Sequence, residues 1–145
     1  MVLTNSPLVR SSQAPRMYPT IALLPVPRYN HVSFLSQKPE NPRVVVCGGR
    51  DIRLKTIASC LVLNQETQTW DTDIISDLTQ VRAESAVVRL KNIGTYVIGG
   101  SGTYLGDTAI TTDFLPIEDP SQWIAEVEFV HPVSAGGSVK FLPAV

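Results

Sequence analysis

The feature that most constrains this chain is a repeat. Two stretches, one starting at Arg28 and one at Arg82, pass through the same landmarks in the same order. Each has an arginine, an apolar run, a polar turn, a second apolar run ending on two glycines, a loop, a third run, another polar turn and a tryptophan. The first copy opens RYNHVSFLS, crosses Gln37 to Asn41, continues Val44-Val45-Val46-Cys47-Gly48-Gly49 and reaches Trp70. The second opens RAESAVVRL, turns at Lys91-Asn92-Ile93-Gly94, continues Tyr96-Val97-Ile98-Gly99-Gly100 and reaches Trp123. The offsets are 54 (82 minus 28), 51 (99 minus 48) and 53 (123 minus 70). Three different landmarks returning at nearly one period point to stacked supersecondary units rather than one closed core.

The runs are rich in Val, Ile, Thr and Tyr, which suit a pleated, half-buried surface. A glycine pair at a strand end lets the chain take positive φ or pass close to a neighbouring backbone. Eleven prolines and nine glycines leave few long helical patterns, so the expected class is all-β. Strands are expected at 30–36, 43–48, 57–64 and 69–75, and again at 83–90, 94–99, 109–115 and 122–128. The sheets so defined, 28–77 and 82–129, should be four-stranded, antiparallel and packed face to face. Met17 to Leu24 sits where the fourth strand of a preceding unit would fall, and Ser138 to Leu142, whose VKFL echoes VSFL, where the first strand of a following one would. Residues 1–16 are polar and proline-bearing without periodicity, the pattern of a flexible lead.

The order of landmarks resembles the kelch repeat, one blade of a β-propeller. In that family a glycine doublet ends the second strand, an aromatic near the end of the third strand is followed by a short turn, and a Trp opens the fourth. The arginine, doublet and Trp match in both copies. The aromatic departs: LNQETQTW has Leu63 where the family has Tyr, and FLPIEDPSQW has Phe114 or Leu115 there with a longer turn. The resemblance covers residues 17–145 and implies a partial kelch-type propeller with two complete and two partial blades. Propellers close with about four to eight blades, so the chain is expected to be a fragment of a longer propeller or a truncated product.

Function is less constrained, because one fold hosts many activities. The formal net charge of −1 leaves no electrostatic footprint for nucleic acid or an anionic membrane surface. No stretch of about 18 apolar residues suggests a spanning helix. Residues 1–16 lack the apolar core of a secretory signal, which makes the cytoplasm the expected compartment. Cys47 and Cys60 read as two buried small hydrophobes, with the alternative that an antiparallel hairpin brings their sulfurs face to face. No C-x-x-C pair occurs, and His31 and His131 are too few to build a typical catalytic zinc site, so no metal is expected. No nucleophile elbow, Walker loop or dinucleotide fingerprint occurs; Gly99-Gly100-Ser101-Gly102 has no helical pattern after it and reads as a turn. Neither a catalytic constellation nor a cofactor is expected.

Arg28 and Arg82 recur in phase and read as structural, each fixing carbonyls or an adjacent acid with its rigid fork. Trp70 and Trp123 read as packing between blades. The loops between second and third strands differ between the copies. One carries Arg50, Asp51, Arg53 and Lys55; the other carries Tyr104 and Asp107. Loops on a rigid scaffold carry function, and in kelch proteins such loops contact partners. These six residues are therefore the candidate partner-binding set, and the expected function is a non-catalytic protein-interaction module. The resemblance also implies an alternative, a piece of a copper-radical oxidase of the galactose or glyoxal oxidase type, whose propeller chemistry needs Tyr, His and a Tyr–Cys cross-link.

Overall fold

The computed structural model describes residues 22–36, 40–102 and 111–128. They form eight strands: β1 (Val32–Leu35), β2 (Val44–Cys47), β3 (Cys60–Asn64), β4 (Thr69–Asp71), β5 (Ala86–Leu90), β6 (Gly94–Ile98), β7 (Thr111–Pro116) and β8 (Ile124–Glu128). These make two antiparallel four-stranded sheets in the orders β1-β2-β3-β4 and β5-β6-β7-β8. Each expected strand in the two copies has its counterpart: most are shorter by one to several residues at an end, β7 runs one residue further, to Pro116, and 109–110 lie outside the described residues. The described part of the proposed earlier strand, 22–24, is not a strand; the rest of it, the lead 1–16, and Ser138 to Leu142 lie outside the described residues.

Alternation places the apolar side chains. In β1, Val32 and Phe34 point inward while Ser33 and Leu35 face out, because successive residues take opposite faces of a strand. With Val45, Cys47, Cys60 and Val62 they make one continuous apolar face. Val97, Leu115 and Trp123 of the second sheet pack onto it, and Ile75 and Leu78 of the linker fill the seam. The Trp123 and Phe34 rings meet edge to face, with centroids 5.9 Å apart and planes at 87°, a geometry favoured by the ring quadrupoles.

The glycine doublets explain the close approach of the sheets. Gly48 and Gly49 have φ of 68° and 93°, and Gly99 and Gly100 have 63° and 101°. The two copies therefore use the same left-handed pair, which a side chain would strain. At Gly48 an added Cβ would lie 2.5 Å from the Arg82 carbonyl oxygen. That same oxygen accepts a hydrogen bond from the Gly49 N–H at 2.8 Å. One doublet thus ends β2 and ties the first sheet to the start of the second copy.

The cysteines correct one expectation. They are buried, but not as separate thiols: Cys47 and Cys60 form a disulfide. They are directly opposite across β2 and β3, and the adjacent pair is joined by Gly48 N–H to Ser59 O. Cys47 and Cys60 therefore occupy a non-hydrogen-bonded position, where opposed Cα atoms are closest; here they are 4.1 Å apart. The corresponding pair in the second sheet is Ile98 opposite Thr112, so the blade itself does not require the bridge. The bond spans a sequence separation of 13, for which chain-entropy arguments give roughly 3 kcal/mol. The double variant Cys47→Ala/Cys60→Ala is expected to lose about 2–3 kcal/mol in a urea melt. Alkylation of the denatured wild type before reduction should label neither cysteine. Full labelling would contradict the bridge.

Candidate functional site

Each copy is locked by its arginine. Arg28 Nη1 donates to the carbonyls of Gly48 at 3.2 Å and Ser59 at 2.8 Å, and Nη2 to Ser59 Oγ at 3.0 Å. Arg82 repeats the pattern on Gly99 O at 3.0 Å, Thr111 O at 2.8 Å and Thr111 Oγ1 at 2.8 Å. The planar fork joins the end of one strand to the start of its neighbour, the structural role expected of a recurring arginine. The second copy adds an acid. Asp113, fully buried, faces Arg82 at 3.1 Å and accepts hydrogen bonds from the Thr79 N–H and hydroxyl. Burial pushes both guanidinium pKa values down, opposed by Asp77 for Arg28 and by Asp113 for Arg82.

The loop after β2 divides the candidate residues into two kinds. Arg50 is not on the loop surface: it is 6% exposed. Its Nη1 pairs with Glu84 Oε1 at 2.9 Å and its Nη2 donates to Ser101 Oγ at 2.8 Å, both in the second copy. Asn30 Nδ2 donates to the same Glu84 oxygen at 3.1 Å, and Glu84 N–H to Asn30 O at 2.9 Å. Asn30 and Glu84 occupy equivalent places and share left-handed φ of 55° and 59°. Arg50 is thus held between the two copies, and its guanidinium is unavailable to a partner in this arrangement.

Asp51, Arg53 and Lys55 make the loop itself. Asp51 Oδ1 accepts from the Arg53 N–H at 2.8 Å and the Lys55 N–H at 3.0 Å. Backbone bonds from Leu54 N–H to Asp51 O and from Asp51 N–H to Lys55 O close the turn, with Leu54 at φ 64°. Asp51 therefore organises the loop from inside, and Arg53 and Lys55 project from it as exposed cations. Two further residues belong to the same tip: Ile52 is 79% and Leu54 43% exposed. Their signal was in the sequence, where Ile52, Arg53, Leu54 and Lys55 alternate apolar and basic; exposure of the apolar pair depends on the turn. Tyr104 and Asp107 lie outside the described residues.

His31 is half-buried beside Gly49. Burial, then the charge of Arg28, pushes its pKa below the ordinary value, against a hydrogen bond that the ring donates to the Arg28 backbone carbonyl. His131 lies outside the described residues. Among the described residues no three His, Cys, Asp or Glu side chains are grouped to hold a metal ion. Both cysteines are consumed by their own disulfide, leaving no thiol for the Tyr–Cys cross-link of the copper-radical alternative.

No protein-family model and no curated protein sequence matches this chain. Among solved structures, that of YjhT aligns with it at a TM-score of 0.63 and 16% sequence identity, over 79% of this chain and 41% of YjhT. The chain thus spans well under half the length of that neighbour. At this identity the likeness concerns the fold alone, and together with the two stacked antiparallel sheets it makes the chain a propeller-like all-β protein.

Proposed function

We propose that this chain is a segment of a kelch-type propeller that binds another protein through the loop between β2 and β3 and has no catalytic role. Support for the kelch type comes from the paired arginine forks, the two left-handed glycine doublets and the tryptophans at equivalent places in the two copies, of which Trp123 lies in the seam. The observation that carries the binding role is the preorganised tip. Asp51 fixes the backbone from within, while Ile52 and Leu54 stand exposed between Arg53 and Lys55. A tip already held in one conformation loses little entropy on docking. Its chemistry suits a partner surface with an apolar pocket flanked by carboxylates. The disulfide favours an oxidising compartment over the cytosol expected from the N-terminal sequence.

The test is the triple variant Ile52→Ser/Arg53→Glu/Lys55→Glu. All three side chains are exposed, so stability should stay within about 0.5 kcal/mol per substitution. Cross-linking of the wild type in extracts of its source should give partner adducts that the variant loses. Identical adducts for both would defeat the reading.

A further inference from the structure

A cleft opens at the opposite end of the strands from the Asp51 loop, where the seam between the sheets is not closed by side chains. Its volume is about 520 Å³, within the range of small-molecule sites. Val62, Ile75 and Pro120 form an apolar floor, with Ile74 at the edge. The walls are fixed: Ser76 N–H donates to Ser121 O at 2.7 Å and Trp123 N–H to Ser76 Oγ at 3.0 Å. On the other side, Ser36 N–H donates to Arg43 O at 2.8 Å and Arg43 N–H to Ser36 Oγ at 2.9 Å. The cleft therefore lies between two hydrogen-bonded margins belonging to different sheets.

The charges on its rim are unequal in availability. Asp119 Oδ1 already accepts from the Ser121 N–H and hydroxyl. The Arg43 guanidinium makes no hydrogen bond or ion pair with another described residue. The Ser36 oxygen accepts from the Arg43 backbone, which leaves its hydroxyl proton for a further acceptor. Asp119 Oδ2 and the Asn41 side-chain amide share this rim; its donors are the Ser36 hydroxyl and the Arg43 guanidinium, a planar cation shaped to grip a carboxylate with two parallel bonds.

We infer that this cleft binds a small apolar molecule bearing a carboxylate, the tail on Val62, Ile75 and Pro120 and the head on Arg43 and Ser36. The site is separate from the Asp51 loop and does not rest on that loop's proposed role. The probe is octanoate, titrated into the full chain labelled with ¹⁵N, with 1-octanol as the uncharged counterpart and Arg43→Gln as the variant. The expected result is saturable shifts of the amides of Val62, Ile74, Ile75 and Ser121 with octanoate. Arg43→Gln should weaken octanoate binding about tenfold or more, the worth of a charge-assisted pair, and leave 1-octanol binding unchanged. Superimposable spectra away from the cleft confirm that the variant is folded. Shifts that do not saturate, shifts that map elsewhere, or equal octanoate affinity in wild type and Arg43→Gln would each overturn the inference.

Discussion

Arg82→Met is expected to destabilise the chain by about 3–5 kcal/mol, because it strands a buried charge. Arg82 is 1% exposed and Asp113 0%. Removing the guanidinium leaves the Asp113 carboxylate without its countercharge and leaves Thr111 O without the bond that Arg82 gives it. The matched comparison is Arg28→Met. Arg28 makes the same three hydrogen bonds, but it is only half-buried and its acid, Asp77, is exposed. Its loss should cost about 1–2 kcal/mol, the usual worth of net hydrogen bonding. A third variant, Arg82→Met/Asp113→Leu, tests the cause. Leu61 occupies the place of Asp113 in the first sheet, so the position already accepts leucine in this architecture. Replacing both charges together should recover a large part of the loss. Urea melts of the three variants decide the matter. Equal losses for Arg28→Met and Arg82→Met, or no recovery in the double variant, would mean that Asp113 is not what makes the second fork critical.

Trp123→Ala is expected to cost about 3–5 kcal/mol, the range for deleting a buried aromatic from a core. Trp123 is 3% exposed, lies in the seam and forms a T-shaped pair with Phe34. Its removal opens a cavity between the sheets and takes away the aromatic that, among the described residues, the second sheet puts into the shared core. Trp70 holds the equivalent place in the first copy, but it is only half-buried, and its Nε1 donates to Ala22 O at 2.9 Å. Trp70→Ala should therefore cost clearly less, and Trp70 remains as the fluorescence reporter for denaturation of the Trp123 variant. Trp123 Nε1 is buried without a hydrogen-bond partner among the described residues. Trp123→Phe removes that unsatisfied donor along with some volume, so its loss should be small beside that of the alanine variant. A Trp123→Ala variant no weaker than Trp70→Ala would show that the seam contributes little to stability.

The periodicity of this chain determined its architecture. Runs of β-branched residues separated by turns at a near-constant spacing can bury their apolar faces only as stacked antiparallel sheets. The eight strands, the glycine doublets at positive φ and the arginine forks on backbone carbonyls were therefore legible from landmarks alone. They depend on local conformation and on partners that recur in each copy. What only the tertiary structure decided is everything that depends on which copy faces which. The sequence left Cys47 and Cys60 as two small hydrophobes or a facing pair; strand register, by setting them directly opposite in a non-hydrogen-bonded position, made them a disulfide. Arg50 looked like one cation of a basic loop, but the neighbouring sheet brings Glu84 and Ser101 to it and buries it. The two tryptophans are equivalent by spacing and unequal by environment, because only Trp123 has a whole described sheet packed against it. Spacing along the chain carries a residue's place within its own blade, whereas burial and pairing are set by the neighbouring blade, which a single period does not encode.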